Sequence, residues 1–133
     1  MTIPINEKDS AILIKLNEHL KSSEFKTILG DGMNKFRLKN IILIDDEDKS
    51  YPNRITVNIK YDGDEKNKTR IYQGLNGNNE VTYNTIDEFQ EIVKYGNTYV
   101  FVIKLSGIWV VKATIPEPAY GIRFQVDKVF IIN

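Results

Sequence analysis

Tyr99-Val100-Phe101-Val102-Ile103-Lys104-Leu105-Ser106-Gly107-Ile108-Trp109-Val110-Val111-Lys112 is followed by a gap holding Pro116 and Pro118. Tyr120-Gly121-Ile122-Arg123-Phe124-Gln125-Val126-Asp127-Lys128-Val129-Phe130-Ile131 comes next. Apolar and polar residues alternate through much of both stretches, the signature of strands that bury one face. The order reads as a strand, a sharp corner at Gly107, a second strand, a variable loop and a closing strand. The sole tryptophan stands just after the corner, and a Tyr-Gly step opens the closing strand.

Upstream, Arg54-Ile55-Thr56-Val57-Asn58-Ile59-Lys60-Tyr61 alternates without a break. Period two puts Ile55, Val57, Ile59 and Tyr61 on one face and Arg54, Thr56, Asn58 and Lys60 on the other. Phe36–Ile44 and Lys68–Gln73 read as further strands. Gly74–Asn79 reads as a turn, and Phe25–Leu29 as a short strand or helical turn. Ile12, Leu13, Leu16 and Leu20 lie at helical spacing, so a helix is predicted from a cap at Asp9 or Ser10 to about Ser22. Thr85-Ile86-Asp87-Glu88 is a capping box, and the helix it opens should run to about Tyr95 before Gly96. Residues 1–8 read as a loose arm or extended lead-in.

One domain is expected from 133 residues, enough to bury roughly two-thirds of the unfolded surface without staples. Lys and Arg number 18, as do Asp and Glu, which argues against a purely polycationic binder. The acids cluster at Asp45-Asp46-Glu47-Asp48 and Asp62-Gly63-Asp64-Glu65, between strands. With no cysteine, disulfides and thiolate chemistry are ruled out. No signal-peptide pattern and no membrane-length apolar run is present, so a soluble intracellular protein without membrane partners is expected. A mainly β fold with two helices follows. Short connections favour antiparallel pairing, and a helix before the last strands suits a five-stranded, partly open Greek-key barrel, with the N-terminal helix covering one end.

The C-terminal part, from Thr85 to Ile131, resembles the single-stranded DNA-binding proteins of large DNA viruses. Gly107-Ile108-Trp109 and Tyr120-Gly121-Ile122-Arg123-Phe124 carry the likeness. It implies an oligonucleotide-binding barrel that works in replication, recombination or repair, in the cytoplasm or nucleus of a host cell. On such a barrel, stacking rings and phosphate-tracking cations on strands two and three make the binding face. Arg54, Asn58 and Lys60 on one strand and Arg70 and Tyr72 on its neighbour would form it. Lys66 and Lys68 in the joining loop reach a backbone, and Lys35, Arg37 and Lys39 on one face of the first strand extend the patch. Trp109 reads first as a core or rim residue and second as a base-stacking ring. Tyr120 reads equally as a loop contact or a packing residue, and Lys112 and Arg123 as phosphate contacts. A solvated sheet face is the plainer reading of the same alternation.

Other chemistries find less support. Asp62-Gly63-Asp64-Glu65-Lys66 begins like a calcium loop but places Lys66 where a ligand is needed. The single histidine, His19, sits beside the helical stripe, and with no Cys most catalytic triads and His-based metal sites fall away. Glu47-Asp48-Lys49 and Glu24-Phe25-Lys26 have the Glu-x-Lys spacing of a metal-dependent nuclease, without the strand context such a site needs. No catalytic residue, metal or cofactor is therefore expected. Single-stranded nucleic acid, DNA before RNA, is the expected partner. A protein-interaction or assembly module on the same barrel is the alternative, and a small nuclease the remote one. The apolar end Val129-Phe130-Ile131-Ile132 must be covered by its own core or by a second copy, which admits a homodimer.

Overall fold

The computed structural model describes residues 1–44, 52–61, 68–94, 98–112 and 117–132. In chain order these form β1 (Thr2–Pro4), α1 (Glu7–Lys21), α2 (Ser23–Leu29), a 3-10 turn (Met33–Lys35), β2 (Arg37–Leu38), β3 (Arg54–Thr56) and β4 (Asn58–Ile59). There follow β5 (Arg70–Gln73), β6 (Glu80–Val81), α3 (Ile86–Ile92), β7 (Tyr99–Val111) and β8 (Ala119–Ile131). The fold is a small mixed one, three α-helices with a sheet-rich core. Its contacts group into two compact units, Met1–Thr56 with Gly107–Arg123, and Val57–Ser106 with Phe124–Asn133.

In the first unit, the Asn6 side chain accepts from the Asp9 amide at 2.8 Å, so α1 starts earlier than the Asp9 or Ser10 cap predicts. Ser22 then serves two helices. Its hydroxyl donates to the His19 carbonyl at 2.6 Å and accepts from the Phe25 amide at 3.2 Å, closing α1 and opening α2. Phe25–Leu29 is therefore helical. The buried face of α1 is also rotated from the predicted stripe: Ile12 is 59% exposed, while Ser10 and Asn17 are buried beside Leu20. Hydrogen bonds make that burial tolerable. The Asn53 amide donates to the Ser10 hydroxyl, and the Asn17 carbonyl oxygen accepts from the Ile41 amide at 3.0 Å.

The lead-in is a strand rather than a loose arm. β1 pairs antiparallel with β3, Ile3 opposite Ile55, and both side chains are buried. Leu43 bridges Arg54 by two backbone hydrogen bonds of 2.7 and 3.0 Å. The strand predicted over Phe36–Ile44 shrinks to β2, which pairs parallel with Ala119 and Tyr120 of β8.

In the second unit, β4 and β5 both join β8 in parallel, β4 at Gln125–Val126 and β5 at Lys128–Ile131. β5 also forms an antiparallel hairpin with β6 across the predicted Gly74–Asn79 turn, where Gly74 and Gly77 hold positive φ. The capping box closes as expected on its first half, the Thr85 hydroxyl accepting from the Glu88 amide at 3.1 Å. The Glu88 carboxylate reaches back one residue further than predicted, to the Asn84 amide at 2.6 Å. Ile71, Tyr83, Phe89, Val126, Val129 and Ile131 make this unit's core.

Two expectations about the strands fail. The alternating run Arg54–Tyr61 breaks at Val57, because β3 finds its backbone partners in β1 and Leu43 whereas β4 finds them in β8. No strand break or left-handed backbone occurs at Gly107, and β7 runs unbroken through it. The described strands close no barrel. β2 in the first unit, and β4 and β5 in the second, pair parallel with β8, where the antiparallel pairing of a Greek key was expected.

Candidate nucleic-acid interface

The row of side chains expected on one binding face is divided. Arg37, Lys39, Arg54, Trp109, Lys112, Tyr120 and Arg123 belong to the first unit; Asn58, Lys60, Lys68, Arg70 and Tyr72 belong to the second. Lys66 and both acidic clusters lie outside the described residues, as does Glu47-Asp48-Lys49. The two strands predicted to lie side by side meet where Lys60 and Thr69 exchange hydrogen bonds of 2.8 and 3.1 Å. Beyond that point each follows β8 in the same direction.

Three of the candidate residues engage the protein itself, as the packing readings of Trp109 and Tyr120 expect. Tyr120 is fully buried on β8, not in a loop, and its hydroxyl donates to the Leu20 carbonyl. Burial raises its pKa above the usual tyrosine value. Trp109 packs across Gly121: a Cβ there would stand 2.5 Å from two indole carbons and 2.7 Å from Nε1. The Ile-Trp and Tyr-Gly steps are thus opposite each other on neighbouring strands, and the glycine makes room for the ring. Lys68 donates to the Tyr83 carbonyl at 2.6 Å, with its ammonium 4.4 Å from the centre of the Tyr83 ring. Its charge is held by the aromatic face and the carbonyl rather than offered to a phosphate. Tyr83 in turn donates to the Thr69 carbonyl at 2.5 Å, and burial pushes its pKa up to about 12.

What remains together is a smaller patch in the second unit. In the β5–β8 register Arg70 stands beside Lys128 and Tyr72 beside Phe130. The Tyr72 and Phe130 rings stack, centroids 5.5 Å apart and planes at 23°. Along β8 the buried positions shift from Phe124 and Val126 to Val129 and Ile131, which leaves Lys128 exposed and Phe130 half-buried. Strict period two from Tyr120 would put Lys128 and Phe130 on the buried face with Phe124 and Val126, so alternation alone did not find them. An acid borders the patch. Glu80, opposite Tyr72 on β6, lies 3.4 Å from the Arg70 guanidinium. Asn58 and Lys60 are exposed in this unit as well.

In the first unit Arg37, Lys39, Arg54, Lys112 and Arg123 are exposed, and Arg37 Nε is 3.2 Å from Glu117. Glu24 and Lys26 lie on α2, where residues two apart diverge, so this pair lacks the strand geometry of a nuclease motif. Among the described residues no three His, Asp or Glu side chains gather as a metal site. Among them also, no helix is long and apolar enough to cross a membrane. No protein-family description matches the chain. No curated protein and no solved structure matches it.

Proposed function

We propose that the second unit binds single-stranded nucleic acid, DNA before RNA, on the face formed by Arg70, Tyr72, Lys128 and Phe130. The observation that carries this reading is the Tyr72–Phe130 stack with two cations two register positions away. Flat rings offer bases a sequence-tolerant surface, at about 1–3 kcal/mol per base, while Arg and Lys engage phosphates. The likeness of Gly107-Ile108-Trp109 and Tyr120-Gly121 to viral single-strand binders supports the same reading. An open sheet suffices for it, and the oligonucleotide-binding barrel is not what carries it. The test is fluorescence anisotropy with labelled oligo-dT over a salt series. Affinity should fall as salt rises, and Tyr72→Ala with Phe130→Ala should weaken binding at least about tenfold. Binding unchanged in that double variant, with its fold intact by circular dichroism, would refute the site.

A second reading, an assembly module, is favoured by β7. None of its residues is buried, and Val100, Val102, Leu105, Ile108, Val110 and Val111 are each 39–54% exposed. A long apolar strand of this kind invites pairing with another chain. Salt-insensitive self-association in the ultracentrifuge, without oligonucleotide binding, would select it.

A further inference from the structure

A second concentration of cations lies in the first unit, which does not hold the Tyr72–Phe130 stack. Lys21, Lys26 and Arg37 line a cavity of about 370 Å³ with Leu38 and Asn40. Its construction follows from the local chain. Ser22 joins α1 to α2 without a spacer, which sets Lys21 in the last turn of one helix close to Lys26 in the next. Arg37 comes from β2, whose amide is tied to the Pro118 carbonyl at 3.0 Å. Glu117 takes the Arg37 Nε at 3.2 Å, which orients the guanidinium and leaves both Nη groups to donate. The Lys21 ammonium is 3.8 Å from Glu18, a long and exposed pair. Lys26 has no ion pair among the described residues. Asn40 accepts from the Asn17 amide at 3.2 Å, so its own two N–H bonds are left for a ligand.

A second cavity of about 250 Å³ shares Lys21 and Asn40 with the first, and its wall is mixed, with Ile14, Ile42 and Ile44 beside Asn17 and Glu18. Ile14 is 38% and Ile44 48% exposed. A basic compartment joined through two residues to one of mixed polar and apolar lining fits a ligand that has an anionic end and a flat body with polar edges. We infer that this paired cleft binds a nucleotide. The phosphate takes donors from Lys26, Arg37 and Lys21, and the base lies over Ile14 and Ile44 with its edge toward Asn40. Three cations facing one cavity match a phosphate dianion, and Arg adds a bidentate contact that a lysine cannot make.

The cleft belongs to a different unit from the Tyr72–Phe130 face, so each proposal can fail alone. The experiment is an NMR titration of the full ¹⁵N-labelled chain with dTMP, thymidine and inorganic phosphate in parallel. With dTMP, the amides of residues 21–26 and 37–44 should shift. Phosphate should bind at least about tenfold more weakly than dTMP, and thymidine should leave the Lys26 and Arg37 amides in place. Lys26→Gln with Arg37→Gln should weaken dTMP binding by at least about tenfold, since each removes a charge-assisted donor. Lys26→Gln alone, which breaks no ion pair, should weaken it about threefold and keeps the test open if the double variant fails to fold. Phosphate binding as tight as dTMP binding would overturn the nucleotide assignment. Absence of shifts in the cleft, or wild-type affinity in a folded Lys26→Gln/Arg37→Gln variant, would overturn the site.

Discussion

Gly121→Ala tests the packing of the only tryptophan. The added Cβ would stand 2.5 Å from Cε2 and Cζ2 of Trp109 and 2.7 Å from Nε1. Carbon atoms in good contact lie about 3.5–4.0 Å apart, so the indole must retreat by about 1 Å or turn off its rotamer. Overpacking of this size costs about 1–3 kcal/mol. Gly121 does not hold a positive φ, so alanine meets no backbone penalty and gains about 0.4–1 kcal/mol by restricting the unfolded chain. The balance is a net loss of about 1–2 kcal/mol, or a fall in Tm of about 3–10 °C for a domain of this size. Thermal unfolding by circular dichroism gives the stability, and fluorescence emission reports Trp109 alone because the chain has no other tryptophan. Trp109→Leu in the Gly121→Ala background should recover part of the loss, with a coupling energy of at least about 0.5 kcal/mol. Wild-type stability together with an unshifted emission maximum in Gly121→Ala would show that the ring does not cover that glycine.

Three further outcomes are expected. Tyr120→Phe removes the hydroxyl that bonds the Leu20 carbonyl and should lower unfolding free energy by about 1–2 kcal/mol in urea melts, with no effect on oligonucleotide binding. Glu80→Gln removes a carboxylate beside Arg70 and should raise oligo-dT affinity at low salt, while stability changes by less than about 1 kcal/mol. Alkaline pH should destabilise the fold. Tyr83 and Tyr120 both have pKa values raised by burial, so the unfolded chain loses those protons first. Their contribution is complete below about pH 10, the ordinary tyrosine value, and declines above it as the unfolded form ionises. For Tyr83 the decline ends near its folded value of about 12. Absorbance titration at 295 nm should show a late-ionising component from Tyr83 and Tyr120 in the native protein that urea-unfolded protein lacks. Identical native and unfolded titration curves would contradict this.

Local signals in the sequence translated well into structure, and non-local ones did not. Thr85 and Glu88 are three residues apart, so their capping bond depends on almost nothing else. The Gly74–Asn79 turn was legible for the same reason. Period two in Arg54–Tyr61 correctly put Ile55 and Val57 inside, yet alternation is the same whichever strand a segment pairs with. Only the register to β8 reveals that β4 and β5 add in parallel to a strand more than fifty residues away. Helical spacing identified α1 but misjudged its buried face, because buried Asn17 depends on a partner at Ile41, and no scale of residue hydrophobicity contains that bond. Lys68 was unreadable in the same sense. Its ammonium settles over a ring fifteen residues on, which a count of basic residues reads as free charge.

Zero net charge also has a local expression. The arginine of the cleft leans on Glu117 and the arginine of the sheet face on Glu80. Each acid fixes the direction of a planar donor and cancels part of its field. Lysine supplies the charge that stays open at both places: Lys26 in the cleft, Lys128 on the sheet. Such pairing limits how many counterions a bound strand can displace. With one or two effective phosphate contacts, the slope of log affinity against log salt for a single strand is about −0.7 to −1.4. A polycationic binder owes its grip to charge number and shows a much steeper slope. Here, in the reading proposed, the rings of Tyr72 and Phe130 must supply most of the affinity. A neutral, ring-dependent surface of that kind keeps its hold at salt concentrations that strip a purely electrostatic one.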